Sequence, residues 1–330
     1  MKKVIFCALI LLGCFAGAAR ADDPYEAGLA IIDGEGFAGL DRAVEQFKVA
    51  VELPGRARDA RLGIARARIL QYELSEQPRS TWLDEARAEL DVLIRARAMD
   101  ADAHFLMSQL LLDEQKPDEA MTFLRRAALA APDREDIAGA YFYRLLDLGQ
   151  VEQARLYAQR RLQDAPGSAM VVLMAQGLLD AGQPQAAEEL ASLGLSENPK
   201  NPDLLVLSAQ ALKAAGEYEK AIARLNDLLR AAPDRSETFF ELGLLYGTLN
   251  NYDQAIEWTR GFLDLDPGNV SALNNLAIYL EQRGDQAAAA AVWQQILEQP
   301  DVETAYRRRA EERLAAAKAT VPAPSQKTDK

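Results

Sequence analysis

Residues 236–269 read SETFFELGLLYGTLNNYDQAIEWTRGFLDLDPGN. Phe239, Leu242, Leu245 and Tyr246 recur at helical spacing and give the first half one apolar face. Asn250-Asn251 interrupts that run. Ala255, Ile256, Trp258, Thr259 and Phe262 then build a second helical face. Asp266-Pro267-Gly268 closes the stretch, because proline cannot extend a helix and glycine accepts a positive φ. The stretch therefore predicts helix, turn, helix, turn.

The same unit recurs along the chain. Pro132, Pro166, Pro199, Pro233, Pro267 and Pro300 are spaced by 34, 33, 34, 34 and 33 residues. Ala86, Ala120, Ala154, Ala187, Ala221, Ala255 and Ala289 keep the same beat. A fixed period of this length means one supersecondary unit stacked many times, so the expected fold is an all-α solenoid. Such a stack offers a long surface to partners and rarely assembles a catalytic pocket.

These units resemble the tetratricopeptide repeat (TPR) family. The family pattern has a bulky residue at position 4, Leu at 7, a small residue at 8, Tyr at 11, Ala at 20, an apolar residue at 24 and Pro at 32. In 236–269 those positions hold Phe239, Leu242, Gly243, Tyr246, Ala255, Thr259 and Pro267, and only Thr259 departs. Residues 202–235 supply Leu205, Ser208, Ala209, Leu212, Ala221, Leu225 and Pro233. Residues 101–134, 168–201 and 270–302 follow the same register, with Pro300 one place early. Small residues at positions 8 and 20 let the paired helices approach closely. Gly182, Gly216 and Gly284 supply backbone freedom near position 15.

The resemblance implies a right-handed TPR α-solenoid of about eight helix-turn-helix repeats over 22–318. Repeats 101–302 are regular, 24–100 are degenerate, and 303–318 form a polar capping helix with a disordered tail at 319–330. In 135–167, Tyr141-Phe142-Tyr143 falls at position 8, which should splay the pair or turn aromatics onto a surface. The resemblance also implies that the first helix of each repeat lines a concave groove. Position 5 there gives Phe105, Gly139, Val172, Val206, Phe240 and Asn274, and position 9 gives Gln109, Tyr143, Gln176, Gln210, Leu244 and Ile278. Acids recur beside them at Asp102, Asp113, Asp136, Asp147, Asp180, Asp203, Glu237 and Glu281. An apolar strip, a row of amides and an acidic rim suit a peptide with some basic character. Some family members hold acidic C-terminal peptides through a Lys, Arg and Asn clamp. Lys213 is the one basic residue in the inner set, which argues against that clamp here.

The N-terminus reads as a leader. Lys2 and Lys3 precede an apolar run, Val4 to Ala16, too short to span a bilayer comfortably, and Ala19-Arg20-Ala21 offers a small-x-small cleavage site. Export with cleavage after Ala21, to the periplasm or outside the cell, is one reading. A lipoprotein anchored through Cys14, in Leu11-Leu12-Gly13-Cys14, is the other. Both cysteines, Cys7 and Cys14, lie in that leader, so cleavage after Ala21 leaves no thiol, disulfide or cysteine metal site. The net charge is −13, and removing Lys2, Lys3 and Arg20 makes it more negative. That balance argues against nucleic acid, or an anionic membrane surface, as a partner.

Chemistry-bearing motifs are sparse. Gly34-Glu35-Gly36-Phe37-Ala38-Gly39 is a literal G-x-G-x-x-G, but no parallel-strand pattern follows and a turn is expected. His104 is the only histidine and occupies a packing position, so no metal or cofactor is expected. No hydrolase or protease motif is present. The expectation is a non-enzymatic scaffold that binds envelope proteins or peptides for assembly, secretion or polysaccharide export. A self-assembling structural protein is the alternative, and an enzyme with an unrecognised carboxylate site is a more distant one.

Overall fold

The computed structural model describes residues 23–164 and 169–320, with side chains as far as residue 316. The leader, Pro166 and the tail from residue 321 lie outside the described residues. Among the described residues the fold is all-α. Helices pair as α1 (Pro24–Glu35) with α2 (Leu40–Val51), α3 (Ala57–Leu74) with α4 (Ser80–Ala96), and α5 (Ala101–Asp113) with α6 (Pro117–Ala130). They continue as α7 (Glu135–Asp147) with α8 (Val151–Asp164), α9 (Ala169–Asp180) with α10 (Pro184–Glu197), and α11 (Pro202–Ala214) with α12 (Tyr218–Ala231). The last are α13 (Ser236–Thr248) with α14 (Tyr252–Leu265), α15 (Val270–Arg283) with α16 (Gln286–Glu298), and the single helix α17 (Thr304–Thr320). These are the eight pairs and terminal helix expected of a TPR solenoid. The helices group into two compact units that divide after Tyr157.

The turn inside each regular repeat is one device used six times. Gln115, Gly149, Gly182, Gly216, Asn250 and Gly284 all have positive φ, from 58° to 93°. The next amide donates back to the carbonyl of position 11: Lys116 to Leu111, Gln150 to Leu145, Gln183 to Leu178, Glu217 to Leu212, Asn251 to Tyr246 and Asp285 to Leu280. This is the Schellman closure, which satisfies the last carbonyls of the first helix and reverses the chain. Gln115 adopts this backbone with a φ of 62° and pays the steric penalty that glycine avoids. Gln115→Gly is therefore expected to stabilise the N-terminal unit by about 0.5–1 kcal/mol, read as a rise in the urea midpoint.

Small residues at the crossing points behave as their positions require. Ala175, Ala209 and Ala277, with Ala187, Ala221 and Ala289, are all buried. The off-pattern Thr259 has a local reason. A Cβ on Gly243 would lie 2.6 Å from Thr259 Oγ1, so the glycine makes room for that side chain. The Thr259 hydroxyl in turn donates to the Ala255 carbonyl at 2.7 Å, which satisfies it in the core. Gly247 serves a second close approach, since a Cβ there would meet the Tyr279 hydroxyl oxygen at 2.6 Å and its ring closer still.

In the N-terminal unit, Leu62, Ala65, Ile69, Leu90, Met107 and Leu110 form the core between α3, α4 and α5. Phe47 fills a second cluster between the first two pairs and sits against the open sides of Gly28 and Gly63. Phe142, at the bulky position 8, is fully buried, and Tyr141 packs edge-on against Tyr157 at 4.9 Å. The G-x-G-x-x-G stretch is the last turn of α1 followed by a 3-10 turn at Gly36–Gly39. His104 is buried as a packing residue. Its Nε2 lies 2.8 Å from the Ala98 carbonyl, and its ring lies 5.6 Å from that of Phe123.

In the C-terminal unit, Trp293, Leu273, Ala277, Ile296 and Ala310 close the end of the stack beneath α17. Ser208 takes the leucine position of its repeat and is fully buried, yet it is satisfied. It donates to Glu188 Oε2 at 2.6 Å and accepts from Arg224 Nε at 2.9 Å, which ties α10, α11 and α12 together.

Candidate functional site

The first helices of successive repeats place positions 5 and 9 in register, so a side chain at one position has a counterpart on the next repeat. In the N-terminal unit the expected groove residues are Phe105, Gln109 and Tyr143. Phe105 is a correction: it is 7% exposed and packs among Leu124, Ala127, Ala128 and Ile137, inside the helix-pair core. Gln109 and Tyr143 stay half-buried at the surface.

An ion-pair ladder joins the N-terminal ends of α3, α5 and α7. Arg58 donates from Nε and Nη2 to both carboxylate oxygens of Asp100, at 2.7 and 2.9 Å, and from Nη2 to Asp102 at 2.8 Å. Arg134 Nη1 continues the ladder to Asp102 at 3.1 Å, and its Nε and Nη2 grip Asp136 at 2.7 and 2.5 Å. Burial pushes the Asp100, Asp102 and Asp136 carboxyls up, but the arginine hydrogen bonds outweigh it and hold all three below the usual carboxylate range. Two members of the expected acidic rim, Asp102 and Asp136, are thus already neutralised. Asp147 lies 3.3 Å from Arg144. At the far end of α3, desolvation and the Asp113 charge push the Glu73 carboxyl up to about 7, although the side chain reaches the surface.

The other nine expected groove residues lie in the C-terminal unit. Val172, Val206 and Phe240 occupy position 5 of α9, α11 and α13, each half-buried, and Phe240 leans on Phe262 with ring centroids 5.2 Å apart. Gln176, Leu244 and Ile278 at position 9 are half-buried, and Gln210 is exposed. Gln176 donates to Asp180 at 2.7 Å. Lys213 Nζ is held by Glu241 at 2.6 Å. Asn274 is a second correction. It is 5% exposed, because Arg309 of α17 lies against it and donates to Asn274 Oδ1 at 3.0 Å.

That contact exposes what the sequence reading missed. Tyr306 reaches Ser271 at 3.4 Å, and Arg313 lies 3.4 Å from Glu281. Helix α17 therefore lies alongside α15 as a further first helix, and Arg309 and Arg313 take positions 5 and 9 of it. Glu281 is drawn off the rim, since it accepts from Trp293 Nε1 at 2.7 Å as well as facing Arg313. The signal was present: Ser271 and Tyr306, like Asn274 and Arg309, stand 35 residues apart, close to one repeat length.

Three profiles of the tetratricopeptide repeat match the chain, over residues 101–134, 178–238 and 240–303. The protein belongs to the tetratricopeptide repeat family. Among curated proteins it resembles the photosystem I assembly protein Ycf3 of Cyanophora paradoxa, 29% identical over 102 residues. That match covers 30% of this chain and 59% of that protein, so the TPR chain spans little more than half the length of this relative. Among solved structures, a chain of the Naa15/Naa10 complex bound to HypK-THB aligns with a TM-score of 0.54 at 14% identity. It covers 89% of this chain and 46% of that one, and the likeness is one of fold. MamA aligns with a TM-score of 0.42 at 18% identity over 51% of this chain and 95% of its own.

Proposed function

We propose that this TPR protein is a non-enzymatic scaffold that holds segments of partner proteins on the concave faces of its units. One observation carries the reading. In the C-terminal unit, Val172, Val206, Phe240, Leu244 and Ile278 repeat in register on four successive first helices and remain only half-buried. A solenoid that needed these side chains for stability alone would cover them, as it covers Leu205, Leu242 and Leu273. Each repeat adds a modest contact, and a few apolar anchors set the affinity. The named role of the Ycf3 relative, assembly of a larger complex, is the kind of work such a surface suits.

The leader motif supports a location in the cell envelope, with the mature chain starting at Asp22 or a lipid anchor at Cys14. Edman sequencing of the protein from cells separates the two, since only the first leaves a free N-terminal Asp22. Assembly, secretion or polysaccharide export are the envelope processes that would use such an adaptor.

The binding face is tested by two single substitutions. Leu244→Asp puts a charge on the concave strip, and Leu265→Asp puts one on the second helix of the same repeat, where Leu265 is already 60% exposed. Loss of co-purifying proteins is expected for Leu244→Asp, by at least tenfold, with retention for Leu265→Asp. Equal retention by both would contradict the reading.

A further inference from the structure

Helix α17 changes the chemistry at one end of the C-terminal groove. Its second face is an ordinary cap: Ala310 is fully buried against Trp293 and Ile296. Its first face is not ordinary, because it carries Arg309 and Arg313 at positions that hold only uncharged residues, Val, Phe and Asn or Gln, Leu and Ile, on the preceding helices of this unit. Arg313 shares its charge with Glu281. Arg309 is exposed, and its hydrogen bond goes to the neutral amide of Asn274. An apolar strip thus ends in a guanidinium that no carboxylate pairs with among the described residues. The rim acid on α15, Glu281, is held by the Trp293 indole and Arg313, and Lys213 is balanced by Glu241.

We infer that the C-terminal groove takes an extended segment with an apolar residue on Phe240, Leu244 and Ile278 and an Asp or Glu side chain on Arg309. Neighbouring helices pack about 10 Å apart, and an extended chain rises about 3.3 Å per residue. Ile278 at position 9 and Arg309 at position 5 are also offset by about one helical turn, so the apolar anchor and the acid are about three to four residues apart in the bound segment. The inference rests on the concave-face reading above. It reverses the charge preference that the acidic rim alone suggested.

The experiment is a selection of random 12-residue peptides displayed on phage against the full chain. Enriched peptides are then made with a fluorophore and titrated by anisotropy. The expected result is enrichment of Asp or Glu about three to four positions from a large apolar residue. Arg309→Gln should weaken such peptides about tenfold and flatten their salt dependence, Arg309→Lys should restore most of the affinity, and Leu244→Asp should abolish binding. A matched thermal unfolding scan checks whether Arg309→Gln leaves α17 docked; if it does not, Asn274→Leu, which keeps the arginine but frees it, should leave acidic-peptide binding in place. Peptides without acids, or with Lys or Arg at that distance, would overturn the acidic assignment while Leu244→Asp sensitivity kept the groove. Enriched peptides indifferent to Leu244→Asp, or no enrichment over an unrelated control, would overturn both.

Discussion

Trp293→Ala is expected to cost about 3–5 kcal/mol and to loosen the C-terminal helices selectively. Trp293 is 1% exposed and is among the largest fully buried side chains in the molecule. Its ring joins Leu273 and Ala277 of α15 to Ile296 of α16 and Ala310 of α17. Its indole N–H also satisfies Glu281, whose side chain is 14% exposed. Truncation removes the packing and leaves that carboxylate with the more exposed Arg313 alone. In a stack of repeats the loss falls on neighbours rather than on the whole chain. Hydrogen exchange should therefore show protection lost across α15, α16 and α17 and kept in α11 and α12. Trp293→Phe keeps most of the ring but not the donor, and about 1–1.5 kcal/mol is expected. Uniform loss of protection, or no loss, would contradict this account of the end of the stack.

The second large effect is Arg58→Met, with an expected cost of about 3–5 kcal/mol at pH 7. The Asp100 side chain is 1% exposed, so losing Arg58 strands a buried carboxylate with only the Ala103 amide to stabilise it. Asp100→Asn is milder, about 1–2 kcal/mol, because Arg58 is 41% exposed and hydrates when its partner is gone. That asymmetry is itself a test, since a simple count of lost hydrogen bonds would rank the two variants alike. The pH dependence follows from the direction of the shifts. The carboxyls of Asp100, Asp102 and Asp136 are held below their ordinary value. The ladder's contribution is therefore complete above the ordinary aspartate value near 3.9 and is lost as pH falls through the lower folded values. In Arg58→Met the sign for Asp100 reverses, because burial then dominates and protonation relieves it. The deficit relative to wild type should shrink between pH 7 and pH 4, measured by denaturant midpoints at each pH.

The fold was legible because its punctuation is local. A proline after each second helix and a small residue at each crossing depend on neighbours within one repeat. Gly182, Gly216 and Gly284 announced the left-handed turns and Asn250 the break in its repeat, while Gln115 adopts the same backbone without announcing it. The groove was only partly legible, for a physical reason. Position on a helix fixes the direction of a side chain, but its exposure depends on what the next repeat places beside it. Phe105 turns inward against Leu124, Ala127, Ala128 and Ile137 of the two following helices, and Asn274 is covered because α17 supplies Arg309. The acidic rim was read as free charge, whereas Asp102 is tied to Arg58 and Arg134 across repeats and Asp136 is gripped by the neighbouring Arg134. Asp102 stands 44 residues from Arg58 and 32 from Arg134, farther than any local reading joins, whereas Arg134 and Asp136 are two residues apart.

The most direct test of the concave-face account is site-specific photo-crosslinking in intact cells, with the probe at Gln210 or at Glu219. Both side chains are exposed, the first on α11 at groove position 9 and the second on α12. The account predicts a discrete crosslinked partner from the Gln210 probe and none from Glu219. Equal crosslinking at the two sites, or crosslinking from Glu219 alone, would contradict it.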